Sequence, residues 1–199
     1  MNINCNPSSP PGLFRSLRRL TRLFTALGTV LFALSAQAFD KPSYPVIFIH
    51  GINSDASMWG EFSSVLGSNG WSSGGVPRWN GSTVTGVVPG DYYTLSFSNN
   101  HELTFSKQGA ELSKIISAVL AMNPAKNKVI LVAHSMGGLA ARAYLQSQAG
   151  VRYSDRNDVH ELITIGTPHQ GSWEGQHCHL NDVCSGRKPL SSITAAAYR

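Results

Sequence analysis

The chain has 199 residues, 42% hydrophobic and 14% charged, with 16 Lys+Arg against 11 Asp+Glu. Such a length and apolar content suit a single domain with its own core, and exclude a disordered or low-complexity chain. The basic excess excludes little by itself, because Arg15, Arg18, Arg19 and Arg22 fall in an opening stretch without one acid, leaving 12 basic residues against 11 acidic elsewhere; nothing supports a nucleic-acid surface.

That opening stretch is followed by the apolar run "LFTALGTVLFALS" and by "AQA" at Ala36 to Ala38. Basic region, short apolar run and small-residue site in this order predict a secretory signal peptide over residues 1–38, cleaved near Ala38, and export to the periplasm or beyond. The run is shorter than the roughly 20 residues a spanning helix requires. Arg18-Arg19 in "LRRLTRL" matches a twin-arginine signal only loosely. Cys5 leaves with the leader. Cys178 and Cys184 remain, an even pair that in an exported protein predicts a disulfide, with free thiols as the alternative.

From Phe39 onward strands and helices alternate. "YPVIFIHG" (Tyr44 to Gly51) predicts a short buried strand ending in a glycine turn. Met58, Phe62, Val65 and Leu66 then fall at helical spacing, with Gly67 to Gly70 as the stop. The Gly-, Ser-, Pro- and Trp-rich segment that follows, from Trp71 to Tyr93, reads either as a substrate-binding flap or as an ordinary surface excursion. "DYYTLSFSNN" predicts the second strand, Leu112, Ile115, Ile116 and Val119 a helix ending before Pro124, and "KVILVAH" the third strand. Lys126 and Lys128 flank a turn and read as solvated. A further helix follows Ser135, and "ELITIG" (Glu161 to Gly166) closes the series as the fourth strand. The βαβαβαβ order predicts an α/β fold, a parallel sheet flanked by helices.

Ser135 interrupts "VILVAHSMGGLAARAYL" where the most apolar strand meets its helix, at the carboxyl edge of the predicted sheet. Gly137 and Ala133 leave room for a sharp strand-to-helix turn that lifts the hydroxyl clear. The Met136 N–H, in the first helical turn, is unpaired within the helix and favours an anion nearby.

At these residues the chain resembles the α/β-hydrolases. "AHSMGG" is similar to their nucleophile elbow, with Ala133 in place of the first glycine. "PVIFIHGINSDASMW" (Pro45 to Trp59) resembles their first core strand and oxyanion loop, and "LITIGTPHQGS" (Leu162 to Ser172) resembles a strand and turn of bacterial lipases and of relatives of the inositol-deacylase lipases. The resemblance implies an α/β-hydrolase domain over residues 39–199. It implies a lipase-like or esterase-like hydrolase of carboxylic esters, in which Ser135 forms an acyl-enzyme and the N–H groups of Ile52 and Met136 hold the oxyanion. His50, Gly51, His134 and Gly137 would support the site, neither histidine being the base. His169, at the end of the fourth strand, would be structural. No cofactor and no metal are required, and the partner is an ester or lipid substrate, with transient contact to a lipid interface.

The pattern fails beyond Ser172. The family triad runs Ser, then Asp or Glu, then His, and only "WEGQHCHLNDVCSGRKPLSSITAAAYR" follows, with no apolar run like a further strand. The last strands of the fold are expected to be missing and the domain incomplete after about residue 172. Asp155 and Asp158 precede the fourth strand, at the end away from Ser135; Asp182 follows His177 and His179, reversing the family order. No catalytic acid or base is therefore assigned. Zinc on the two His and two Cys of "HCHLNDVC" fits no standard spacing, and a small disulfide loop is preferred. Alternatives stay open: a fragment of a longer lipase, a chain completed by a partner or by a reading-frame continuation, an inactive lipid- or partner-binding relative, or an amidase or thioesterase on the same fold. Oligomeric state is open as well.

Overall fold

The computed structural model of the protein describes residues 40–99, 104–150 and 152–170. The expected signal peptide at residues 1–38, the expected Cys178–Cys184 disulfide, and His177, His179 and Asp182 lie outside the described residues.

Strand β1 (Val46–Ile49) is entirely buried, as its unbroken aliphatic and aromatic run requires. A 3-10 turn (Ala56–Trp59) and helix α1 (Gly60–Ser68) follow. Then come β2 (Arg78–Trp79), β3 (Val84–Thr85) and β4 (Tyr92–Thr94). Helix α2 (Phe105–Met122), capped by the Thr104 hydroxyl, leads to β5 (Val129–His134), α3 (Met136–Leu145) and β6 (Val159–Ile165). The main sheet is parallel, in the order β4-β1-β5-β6. The alternating elements predicted from sequence thus form the expected α/β fold.

Alternation along β1 divides the core. Ile47 and Ile49 join Tyr93, Leu112, Ile115, Ile116, Leu131 and Tyr144 beneath α2 and α3. Val46 and Phe48 join Trp59, Leu66 and Tyr92 on the opposite face. The apolar residues at helical spacing mark α1 and the turn before it, but unequally: Leu66 is buried with Trp59, while Met58, Phe62 and Val65 stay exposed, the Phe62 ring still packing edge-on to Phe48. Ile163 and Ile165, in register with Val132 and His134, extend the same face and are also exposed.

The segment after α1, read as a substrate-binding flap or a surface excursion, is largely exposed and carries short strands. β2 and β3 form an antiparallel hairpin, with Asn80 Oδ1 accepting the Ser82 and Thr83 N–H groups across the turn. Isolated bridges, Ser73 to Tyr92 and Arg78 to Ser96, tie it to the chain around β4. At the far end of β6 from Ser135, buried Asp158 accepts from the Tyr144 hydroxyl at 2.7 Å and pairs with Arg156 at 2.6 Å. That is a structural bond between α3 and the start of the strand.

Candidate active site

β5 carries Val129 to Val132 through the core and delivers small, fully buried Ala133 to the carboxyl edge of the sheet. The next two residues are His134 and Ser135. Ser135 stands between strand and helix at φ 52°, ψ −124°, a region that L residues rarely occupy. Its N–H donates to the Ile165 carbonyl at 2.8 Å and its own carbonyl accepts from Gly138 at 3.1 Å. The side chain makes no cap to the helix. These two backbone bonds hold the serine in place while its hydroxyl stays uncommitted to the helix.

The β1 loop reaches the same point. Asn53, at φ 54°, reverses the chain after Ile52, and Asp55 Oδ1 accepts from Ser57 N–H to start the 3-10 turn. Glycine is required at two approaches. A Cβ on Gly137 would stand 2.5 Å from the His50 carbonyl oxygen, and one on Gly51 would meet both Ser135 and His134. Elbow and loop thus touch backbone to backbone. Ile52 packs against Phe105, Met136 and Leu139, so the two residues whose N–H groups were expected to face an oxyanion share one apolar cluster.

His50 is buried, and both of its ring nitrogens lie against backbone. Nε2 is 3.1 Å from the Phe97 N–H, and Nδ1 is 2.8 Å from the Gly51 carbonyl. An N–H can only donate and a carbonyl can only accept, so the ring is neutral with its proton on Nδ1. Burial pushes its pKa below the ordinary 6.5, in keeping with that state. His134 is half-buried, and its Nδ1, which faces the Gly51 α-carbon, has no hydrogen-bond partner.

His169 is pinned in the same manner. The Arg142 guanidinium donates to Nδ1 at 2.8 Å, which leaves the proton on Nε2 to donate to Thr164 Oγ1 at 3.1 Å. Burial, then the Arg142 charge, lowers its pKa. This places the post-β6 turn against α3, and the same turn seats Thr167 on Gly138, where it would collide with any added Cβ. Sequence alone does not link Arg142 or Thr167 to the site; the signal for Thr167 is the second of the paired glycines, Gly138, which the elbow turn itself leaves unexplained. Among the described residues no group of three or more His, Cys, Asp or Glu could hold a metal.

Residues 41–183 match the model of the PGAP1-like alpha/beta domain. The fold is similar to that of the Listeria innocua gene lin2722 product, at 20% identity and a TM-score of 0.54, over 68% of this chain and 55% of that one. It is similar to Bacillus licheniformis lipase BlEst2 in its mature form, at 22% identity and 0.52, over 79% and 57%. A third likeness is to phospholipase PlaB from Legionella pneumophila in complex with thio-NAD, at 15% and 0.52, over 76% and 31%. The chain therefore spans little more than half the length of the first two and less of the third.

Proposed function

The chain belongs to the PGAP1-like alpha/beta domain family; from that premise we propose that it is a lipase- or esterase-like α/β-hydrolase that cleaves carboxylic esters through an acyl-enzyme on Ser135. The observation that carries the reading is the Ser135 backbone. Holding a non-glycine residue at φ 52° costs on the order of 1–3 kcal/mol, and such strain persists where surrounding structure enforces it. Packing of the β1 loop and α3 on both sides of the serine supplies that enforcement.

In the proposed reaction the Ser135 oxygen attacks the ester carbonyl carbon and its proton passes to a base. The carbonyl oxygen becomes an oxyanion held by the Ile52 and Met136 N–H groups, the alcohol leaves with the proton, and water then releases the acid by the reverse sequence. His50 and His169 have both ring nitrogens committed to neighbours, so neither serves as that base without breaking a bond. We place the base and its acid outside the described residues. The substrate is an ester or lipid, acted on after export and removal of residues 1–38.

The committed histidines favour a second reading, a non-catalytic lipid- or partner-binding relative that keeps the elbow for folding. Fluorophosphonate labelling of the exported chain, read by intact mass beside a Ser135→Ala control, separates the two. One Ser135-dependent adduct is expected for the hydrolase. A folded chain that takes no adduct would support the second reading.

A further inference from the structure

A chain of contacts runs from the middle of α2 to the loop that faces Ser135. Glu111, on α2, is buried, and its carboxylate accepts both the N–H of Ser98, at 3.0 Å, and the Ser98 hydroxyl. Ser98 directly follows Phe97, whose N–H donates to His50 Nε2, while the opposite ring nitrogen donates to the Gly51 carbonyl. The Phe97 ring also stands edge-on to His50, with centroids 5.3 Å apart.

The last step of the chain turns on peptide geometry. The Gly51 carbonyl and the Ile52 N–H belong to one peptide unit, which is trans and planar, so the two bonds point in opposite directions. A ring that fixes the direction of the carbonyl also fixes the direction of the N–H. The ring can do this only in the Nδ1-protonated form, and that form is dictated by a donor to Nε2. The donor is the Phe97 backbone N–H, in the loop after β4; on its near side Ser96 bridges to Arg78, and on its far side Ser98 is held by Glu111.

We propose that Glu111 and Ser98 are positioning residues for the Ile52 N–H, acting through the Phe97 backbone, the His50 ring and the Gly51–Ile52 peptide. The consequence for chemistry rests on the reading of Ser135 as nucleophile and Ile52 as oxyanion donor; the hydrogen-bond relay does not. A carboxylate suits the task because it accepts two donors from one residue at once and so fixes both the position and the rotation of Ser98. Glutamine can still accept the Ser98 N–H through its oxygen and donate to the hydroxyl through its amide. Alanine can do neither.

The test uses the full chain with Glu111→Ala, Glu111→Gln and Ser98→Ala, each checked for folding by circular dichroism. Two readouts are taken: solvent exchange of the His50 Nδ1 proton by nitrogen-15 NMR, and the second-order rate of fluorophosphonate addition at Ser135. In Glu111→Ala, exchange should quicken and labelling should slow, each by about tenfold, the order expected when a donor is misaimed rather than removed. Glu111→Gln should return both to within about twofold of the parent. If Glu111→Ala fails to fold, Ser98→Ala carries the same comparison, with changes in the same direction. Unchanged Nδ1 exchange in either folded variant would overturn the relay. Absence of labelling in the parent chain would instead remove the hydrolase reading, with the NMR result still deciding the relay.

Discussion

Gly51 and Ser135 approach so closely that a single methyl group on Gly51 would stand 2.9 Å from the Ser135 β-carbon and 3.2 Å from the His134 ring nitrogen. Neither neighbour is a flexible chain end that could swing aside. Gly51→Ala is therefore expected to push the loop off the serine, cutting fluorophosphonate labelling by about tenfold or more, since one misplaced oxyanion donor is worth this order. A labelling rate equal to the parent's would mean that the loop does not serve the serine.

Ser135→Gly and Ser135→Ala should differ in stability even though both lack the nucleophile. Glycine relieves the positive-φ strain at Ser135 but adds freedom to the unfolded chain. Relief of about 1–3 kcal/mol set against a loss of about 0.4–1 leaves Ser135→Gly the more stable by roughly 1 kcal/mol. Urea denaturation of the two variants checks this, and equal midpoints would count against a strained elbow.

Gly137→Val places its β-carbon 2.5 Å from the His50 carbonyl oxygen and 2.7 Å from Ile49 Cγ2, and then adds branching. Because the backbone oxygen cannot move without moving β1, we expect a loss of about 1–3 kcal/mol together with loss of labelling. Normal yield and melting temperature would show that the approach is looser than described.

Stability should fall on mild acidification. Burial holds the folded His50 pKa below 6.5, partly offset by the Gly51 carbonyl and Asp55 and reinforced by Arg78, and burial with Arg142 lowers His169 in the same direction. The unfolded chain then binds more protons than the folded one as pH drops below about 6.5. The contribution is intact at neutral pH and declines below that value, at up to about 1.4 kcal/mol per pH unit for His50 and by less for the more solvated His169, until the lowered folded pKa is reached. Urea midpoints at pH 7.5 and 5.5 measure it; a flat profile would mean that the His50 ring titrates in the folded chain as it does in the unfolded one, and a rise on acidification that it is charged when folded.

Tyr144→Phe removes one donor to the buried Asp158 carboxylate and leaves Arg156 paired with it. A cost of about 1–3 kcal/mol is expected, with labelling at Ser135 preserved because this bond lies at the opposite end of the sheet. Loss of labelling at full stability would contradict that separation.

Local pattern carried the architecture well. The aliphatic run into Ser135 and the Leu112, Ile115, Ile116 and Val119 spacing each predict an element that forms, because burial and periodicity reinforce one another there. The β2–β3 hairpin was missed although Asn80-Gly81 marks its turn; its strands are two residues long, too short for alternation to register. Met58, Phe62, Val65 and Leu66 also mark a helix that forms, but spacing does not reveal how much of each side chain the sheet will cover. In the site, the elbow was legible because its residues are consecutive. The bond that sets the His50 tautomer was not, since it joins Nε2 to a backbone group 47 positions away that has no signature in side-chain chemistry.

The Ser135 amide is also the last rung between β5 and β6, through its bond to Ile165. Fraying of β6 from its carboxyl end would break that rung before any other, so amide exchange at Ser135 acts as a clock for the opening of a strand that, among the described residues, borders the sheet. Anything that lies down along the outer side of β6 would slow that clock, and would be sensed at the serine without touching it.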